Sequence, residues 1–231
     1  MIVSVHQPQY IPWLGYIDKI ARSDHFVFLD CVQYKEREFQ NRNRIRTDRG
    51  WMWLTVPVIS TGKGRQLFSE VLIDNSFRWK QKHWDTWQTF YGKAPFFEVH
   101  RQFFEDTYSQ KWEKLMDLNI HVIRHILNCL SISTAISFES ELKTSSTKTE
   151  RIIEICKKLK ASTYLSGSGG KDYLDESRFE DEAIDLEYQH FTHPVYQQQF
   201  MKDEEDFLPY LSVLDLLLNE GPDSRQVMGY K

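Results

Sequence analysis

Ile2, Val3 and Val5 open the chain as a short apolar strand, and His6 stands where it ends. A polar loop rich in Gln, Pro and Tyr follows. Leu14, Ile17 and Ile20 then recur at helical spacing, with Pro12 suited to a first helical position. Phe26–Asp30 (FVFLD) reads as a second buried strand, so the chain opens as a βαβ unit. Trp51–Val58 alternates and is rich in strand formers, with Pro57 marking an edge or an end, and Glu70–Ile73 is a shorter strand candidate.

The pattern then turns helical. Trp79–Tyr91 has helical periodicity and Pro95 stops it, while Phe96–Tyr108 and Lys111–Leu130 continue as helices. Thr134–Glu139 reads as a strand. Thr147–Glu150 (TKTE) has the capping-box pattern ahead of the amphipathic run Ile152–Leu159. Thr163–Ser166 is a strand leading into the loop Gly167–Gly170 and a helix from about Tyr173; Leu186–His190 is another strand, and Phe207–Leu218 a last helix ended by Gly221-Pro222. No internal repeat and no low-complexity linker interrupts this order. Strands alternating with helices predict an α/β fold with a mostly parallel sheet, in one domain over 1–231 with an inserted or appended helical region at about 79–130.

Composition narrows the function classes. A chain of 231 residues with seven Trp can bury a sizeable core, which excludes a disordered chain. A net charge of −4 argues against general nucleic-acid binding while leaving room for a local basic pocket. Cys31, Cys129 and Cys156 are scattered without CxxC pairing, so neither a zinc site nor a disulfide framework is expected. His121 and His125 stand one helical turn apart, but HVIRH lacks the Glu of HExxH and no third ligand accompanies it, so no metal is expected. The N-terminus lacks a basic segment followed by an apolar one, and no apolar run approaches the ~20 residues of a membrane span. A cytoplasmic protein is expected.

Three segments carry candidate chemistry. The loop after the first strand begins with His6, a candidate general acid or base; Gln7, Gln9 and Tyr10 offer hydrogen bonds to a polar ligand. The alternative is that His6 caps the strand while Tyr10, Trp13 and Tyr16 fill core. In Asp30–Arg46, Asp30 reaches the same sheet edge as His6 if their strands are adjacent. If its end is extended, Arg42, Arg44 and Arg46 share one face and Asn41 and Asn43 the other, a pattern fit for phosphate or carboxylate, or else a solvated charged strand. The third is Ser166–Asp172 (SGSGGKD), whose Gly169, Gly170, Lys171 and Asp172 form either an anion-binding turn or only a tight one. It is not a Walker A loop, since Gly167 and Gly170 are too close and Asp172 stands where Ser or Thr should be. His193 and Tyr196, in HPVY after the last strand, are candidates to line a cleft.

Together these segments resemble the WbqC-like protein family. The matching pieces are HQPQYIPWLGYIDKI at 6–20, FVFLDCVQY at 26–34, FQNRNRIR at 39–46, WLTVPV at 53–58, KASTYLSGSGGKDYLDE at 160–176, HPVY at 193–196 and SVLDLLLNEGP at 212–222. Cys31 stands where the resemblance leads one to expect a second acidic residue after Asp30. The resemblance implies a place in O-antigen or other surface-polysaccharide synthesis, with transfer of glycine or another acyl group to an amino sugar. Pro12–Tyr16 is also similar in placement to the HxGH motif of nucleotidyl-transferring enzymes, with Trp13 and Tyr16 in place of both histidines. That likeness implies a Rossmann-like fold of the HUP or nucleotidyltransferase-like type.

The expected activity is therefore amide formation on a nucleotide-linked amino sugar, with His6 and Asp30 as catalytic residues. Arg42, Arg44 and Lys171 would bind phosphates or the activated carboxyl. ATP and an acyl thioester are both open as the activating cofactor. The expected partners are the nucleotide-linked amino sugar and an acyl or aminoacyl donor, with a homodimer allowed and neither nucleic acid nor membrane insertion. The alternative reading is a non-catalytic nucleotide- or nucleotide-sugar-binding protein with a Rossmann-like pocket.

Overall fold

The computed structural model describes residues 1–60, 62 and 64–230. In chain order the elements are β1 (Ile2–His6), α1 (Leu14–Ala21), β2 (His25–Phe28), β3 (Arg42–Thr47), β4 (Gly50–Thr55), α2 (Trp79–Tyr91), α3 (Phe97–Ser109) and α4 (Leu115–Cys129). They continue with β5 (Ala135–Phe138), α5 (Glu139–Leu142), α6 (Lys148–Leu159), β6 (Thr163–Ser166), α7 (Glu176–Asp181), β7 (Asp185–Tyr188), α8 (Val213–Glu220) and α9 (Ser224–Val227). The chain divides into two compact units. The sheet unit takes Met1–Pro8, Gly15–Val32 and Ser133–Thr192, and the helical unit takes Gln9–Leu14, Gln33–Ile132 and His193–Lys231.

The sheet unit is a five-stranded parallel sheet in the order β5-β2-β1-β6-β7. Parallel strands need long crossovers, and helices on those crossovers cover the faces. Val3, Val5, Val27, Leu29 and Tyr164 point to one face and pack with Ile152, Ile153, Ile155 and Cys156 of α6 and Phe179 of α7. Alternation sends Ser4, His6, Phe26 and Phe28 to the other face. There Tyr16 of α1 meets Phe26 edge-on at 5.8 Å, and Ser4 shares a 2.6 Å hydrogen bond with Ser23. The α/β, Rossmann-like expectation is met.

The helical unit holds the antiparallel hairpin β3–β4, in which Arg44 pairs with Trp53 and Arg46 with Trp51. Its core is aromatic: Trp87 stacks on Phe104 at 5.1 Å, and Trp84 on Phe97 at 5.9 Å. At its centre lies a buried carboxylate. Asp215 on α8 accepts from the Tyr91 hydroxyl at 2.6 Å and from the Tyr196 hydroxyl at 2.8 Å, so each oxygen has a donor. Among the described residues no helix is long and apolar enough to cross a membrane.

Several sequence-based boundaries move. Glu70–Ile73 is not a strand: Phe68–Glu70 forms a 3-10 turn, and Leu72 and Ile73 make only isolated bridges to Lys114 and Val58. Pro12 lies ahead of α1 because Trp13 bridges Ser212, and the Pro12 carbonyl accepts from Val213 N. The last predicted helix starts later, at Val213, where the Ser212 hydroxyl accepts from Leu214 N; Pro209 and the positive φ of Tyr210 (62°) hold the preceding segment out of the helix. The TKTE box does not form. Thr147 caps no amide, Thr149 accepts from Asp175 N, and Glu150 pairs with Arg178 at 2.7 Å.

Burial pushes the Asp215 carboxyl up to about 6, against the pull of its two tyrosine donors. A carboxyl whose folded pKa is raised contributes stability at low pH that is lost as pH rises through that value. Wild type should therefore lose stability relative to Asp215→Asn as pH climbs from about 4 to about 6. Urea unfolding of both proteins across that window checks the sign.

Candidate functional site in the parallel sheet

All five strands of the sheet unit run the same way, so their C-terminal ends share one edge. From β1 the chain builds outward to β2 and β5, then returns to β6 and β7 on the other side of β1. The crevice between the ends of β1 and β6 is thus the topological switch point, where open α/β sheets hold ligands. His6 ends β1 there. Its Nδ1 lies 3.0 Å from the Gln7 carbonyl, which can only accept, so Nδ1 carries the proton and Nε2 is the basic nitrogen. The Tyr16 ring meets it edge-on at 5.2 Å, and the Tyr16 hydroxyl donates to the same Gln7 carbonyl. Burial, reinforced by the nearby Lys19 charge, pushes the His6 pKa down to about 3, so this imidazole is neutral at physiological pH.

Lys19 is the residue that sequence reading missed. It is 4% exposed, and its ammonium donates to the Val5 carbonyl at 3.0 Å. The same Nζ stands 3.8 Å from where a Cβ on Gly167 would be, so it lies under the start of the loop that follows β6. Among the described residues no carboxylate comes within 4.0 Å of it. Its chain neighbour Asp18 is engaged by Gln189 at 2.7 Å and Arg22 at 3.7 Å. Burial alone drives the Lys19 pKa down to about 7. A buried ammonium whose hydrogen-bond partner among the described residues is one carbonyl is a ready partner for an anion.

On the other flank of β1, β2 is its direct neighbour, and Leu29 N bonds the His6 carbonyl. Asp30 therefore reaches the same edge as His6, but its side chain is committed elsewhere. It accepts from Ser140 N at 3.0 Å and from the Cys31 thiol at 3.7 Å. Glu139, at the end of β5, supplies the second carboxylate. It is 1% exposed and is held by Arg151 at 3.0 Å and the Thr144 hydroxyl at 2.7 Å, with Oε2 buried and unpartnered. Asp30, Cys31 and Glu139 bring one ligand-type atom each to within 4.8 Å of one another. Burial, with these two carboxylates beside it, raises the Cys31 thiol to about 11, so it is protonated at neutral pH.

The Gly-rich loop takes a different form from the one expected. Ser168–Asp172 is a 3-10 turn, and the next helix, α7, begins only at Glu176. Gly170 is buried, and a Cβ there would collide with Ser166 Oγ, so the turn requires glycine. Gly169 and Asp172 are exposed, and Lys171 lies over the Tyr188 ring at 5.1 Å. The buried cation beneath this loop is Lys19.

The remaining candidates belong to the helical unit. Tyr10 is buried, with its hydroxyl 2.9 Å from both His83 Nδ1 and the Tyr108 hydroxyl, and Gln9 is buried nearby in sequence. Asn41 donates to the Val56 carbonyl and Asn43 to the Ile11 carbonyl, so both tie backbone segments together. Arg42 and Arg44 do share a face of β3: their guanidinium groups lie over Trp53 at 4.2 Å and Trp51 at 5.1 Å. Arg46 leaves that set, bonding Gln198 and the Asp206 carbonyl. His193 packs against Tyr210 at 5.8 Å, while Tyr196 is taken up by Asp215.

Comparison with known proteins identifies the family. The profile of the WbqC-like protein family matches residues 7–227. The chain is also 33% identical over 229 residues to the uncharacterized protein Rv1507c of Mycobacterium tuberculosis, covering 99% of this chain and 97% of that protein. No solved structure matches the chain.

Because only the charged form of Lys19 attracts an anion, binding should couple to its proton. Sulfate, which does not titrate near neutrality, should raise the unfolding temperature at pH 6, and its affinity should weaken as pH rises above about 7. Lys19→Met should abolish the sulfate effect at pH 6 and above. Thermal unfolding with and without sulfate measures this.

Proposed function

The chain belongs to the WbqC-like protein family, and from that we propose an enzyme of surface-polysaccharide synthesis that forms an amide on a nucleotide-linked amino sugar. The observation that carries the reading is the buried Lys19 ammonium at the switch point of a parallel sheet, with no carboxylate within 4.0 Å of it among the described residues. A site of this kind favours a ligand that brings its own negative charge, such as a diphosphate or an activated carboxyl.

The roles follow from the chemistry of each group. In acyl transfer the amine nitrogen attacks the acyl carbon, a proton leaves the nitrogen, and the phosphate or thiolate departs with the bonding electrons. Lys19 in its charged form opposes the negative charge that builds on the acyl oxygen or the leaving group. His6, neutral and with Nε2 as its basic nitrogen, takes the proton as the C–N bond forms. Asp30 and Glu139, at the adjacent strand ends, are each engaged by protein donors, and the sugar amine attacks as its neutral form after giving its ammonium proton to solvent. The acyl group is glycine or another aminoacyl or acyl unit, activated by ATP or carried as a thioester.

Incubating the protein with amino-sugar nucleotides, ATP plus glycine, or acyl thioesters should yield a sugar heavier by one acyl unit in the mass spectrum. His6→Ala should abolish turnover, and Lys19→Met should lower kcat by roughly 10²–10³, as loss of one charge-stabilising group does. Saturable nucleotide binding without product from any donor would replace this reading with that of a non-catalytic nucleotide-sugar-binding protein.

A further inference from the structure

Away from the sheet, the helical unit gathers three donor atoms that the proposed reaction does not use. His125 Nε2 on α4 lies 3.2 Å from His100 Nδ1 on α3 and 3.5 Å from the sulfur of Cys129, one turn further along α4. All three ligand-type atoms lie within 4.8 Å of one another. We infer that His100, His125 and Cys129 bind a divalent zinc-like ion in the helical unit.

The spacing fits the ion. Bonds of about 2.0–2.1 Å to nitrogen and about 2.3 Å to sulfur at tetrahedral angles set N···N near about 3.3 Å and N···S near about 3.5 Å. The observed separations of 3.2 and 3.5 Å match two of the three edges such a tetrahedron would have between these donors, and the third lies within 4.8 Å. Two imidazoles and one thiolate are borderline-soft donors, suited to zinc and its neighbours and unsuited to magnesium or calcium. The rings are already positioned. Phe103 stacks face to face on His125 at 3.5 Å and His100 is 6% exposed, so ligand orientation costs little when the ion arrives. Binding displaces the proton of the Cys129 thiol. Cys129 is exposed, which leaves the fourth corner of the tetrahedron to water.

The HVIRH pair proves to be a partial clue. His121 turns away from this cluster, with Nε2 2.9 Å from the Thr107 hydroxyl and its ring against Trp112. The other ligands come from α3 and from the following turn of α4.

The full chain, stripped by chelator and titrated with Co²⁺, tests this. One equivalent should bind with a sulfur-to-cobalt charge-transfer band that Zn²⁺ displaces, and Zn²⁺ should raise the unfolding temperature. Cys129→Ser should lose the band, and His100→Gln should weaken binding by more than about 100-fold, beyond the 10–100-fold typical of outer-sphere changes. His121→Gln should bind as wild type does. Cooperative unfolding of each variant without metal shows that it has folded. No saturable Co²⁺ binding, or a thiolate band that survives Cys129→Ser and so belongs to Cys31 or Cys156, overturns the assignment.

Discussion

β1 is hydrogen-bonded in parallel along both of its edges, to β2 on one side and β6 on the other. Parallel neighbours cannot be joined by a tight turn, so each connection in the sheet unit has to travel, and the segments that travel become the helices on its faces. The same constraint lines up the C-terminal ends of β5, β2, β1, β6 and β7 on one edge. His6, Asp30, Glu139 and the turn at Gly167–Gly170 are there because they follow strands, not because they are near one another in sequence. Lys19 reaches that edge because α1 packs on the face of β1 and its ammonium finds the Val5 carbonyl.

The two units treat buried charge in opposite ways. Taking an ion out of water costs several kcal/mol unless hydrogen bonds replace the lost hydration. In the helical unit, Asp215 has that replacement, with one phenol on each carboxylate oxygen, and the group closes a packed interior. In the sheet unit, Lys19 has a carbonyl and, among the described residues, no counter-charge within 4.0 Å, so its solvation is left incomplete. A complete network holds a fold together; an incomplete one favours whatever completes it. That difference separates the Asp215 carboxylate from the Lys19 ammonium more clearly than burial, which is nearly total for both.

Where local pattern decides structure, the chain was readable. Trp79–Tyr91 is the helix its periodicity predicts, and Thr163–Ser166 the strand. The α/β alternation led to the parallel sheet. Glu70–Ile73 looks like a strand because most of the run is apolar, yet it makes too short a ladder, and tertiary contacts leave Leu72 and Ile73 as isolated bridges. The site was less legible for a similar reason. A lysine in IDKI reads as the solvated side of an amphipathic helix, and only the carbonyl at the end of β1 shows that it is buried. Glu139 brings a second carboxylate beside Asp30, but it arrives from the end of β5, across a separation that no motif spans. Arg42 and Arg44 were seen as a shared face, whereas the Trp51 and Trp53 rings beneath them came only with the hairpin register.

The aromatic inventory is divided unevenly. Trp13, Trp51, Trp53, Trp79, Trp84, Trp87 and Trp112 all belong to the helical unit, and the sheet unit has none. Indole emission from this protein is therefore a local gauge: it registers the aromatic core around Trp87, while the parallel sheet is optically silent in that channel. Loss of the sheet alone would pass unseen by fluorescence and would show in far-ultraviolet dichroism. A mismatch between the two signals would measure how tightly a chain threaded repeatedly through both units couples their unfolding.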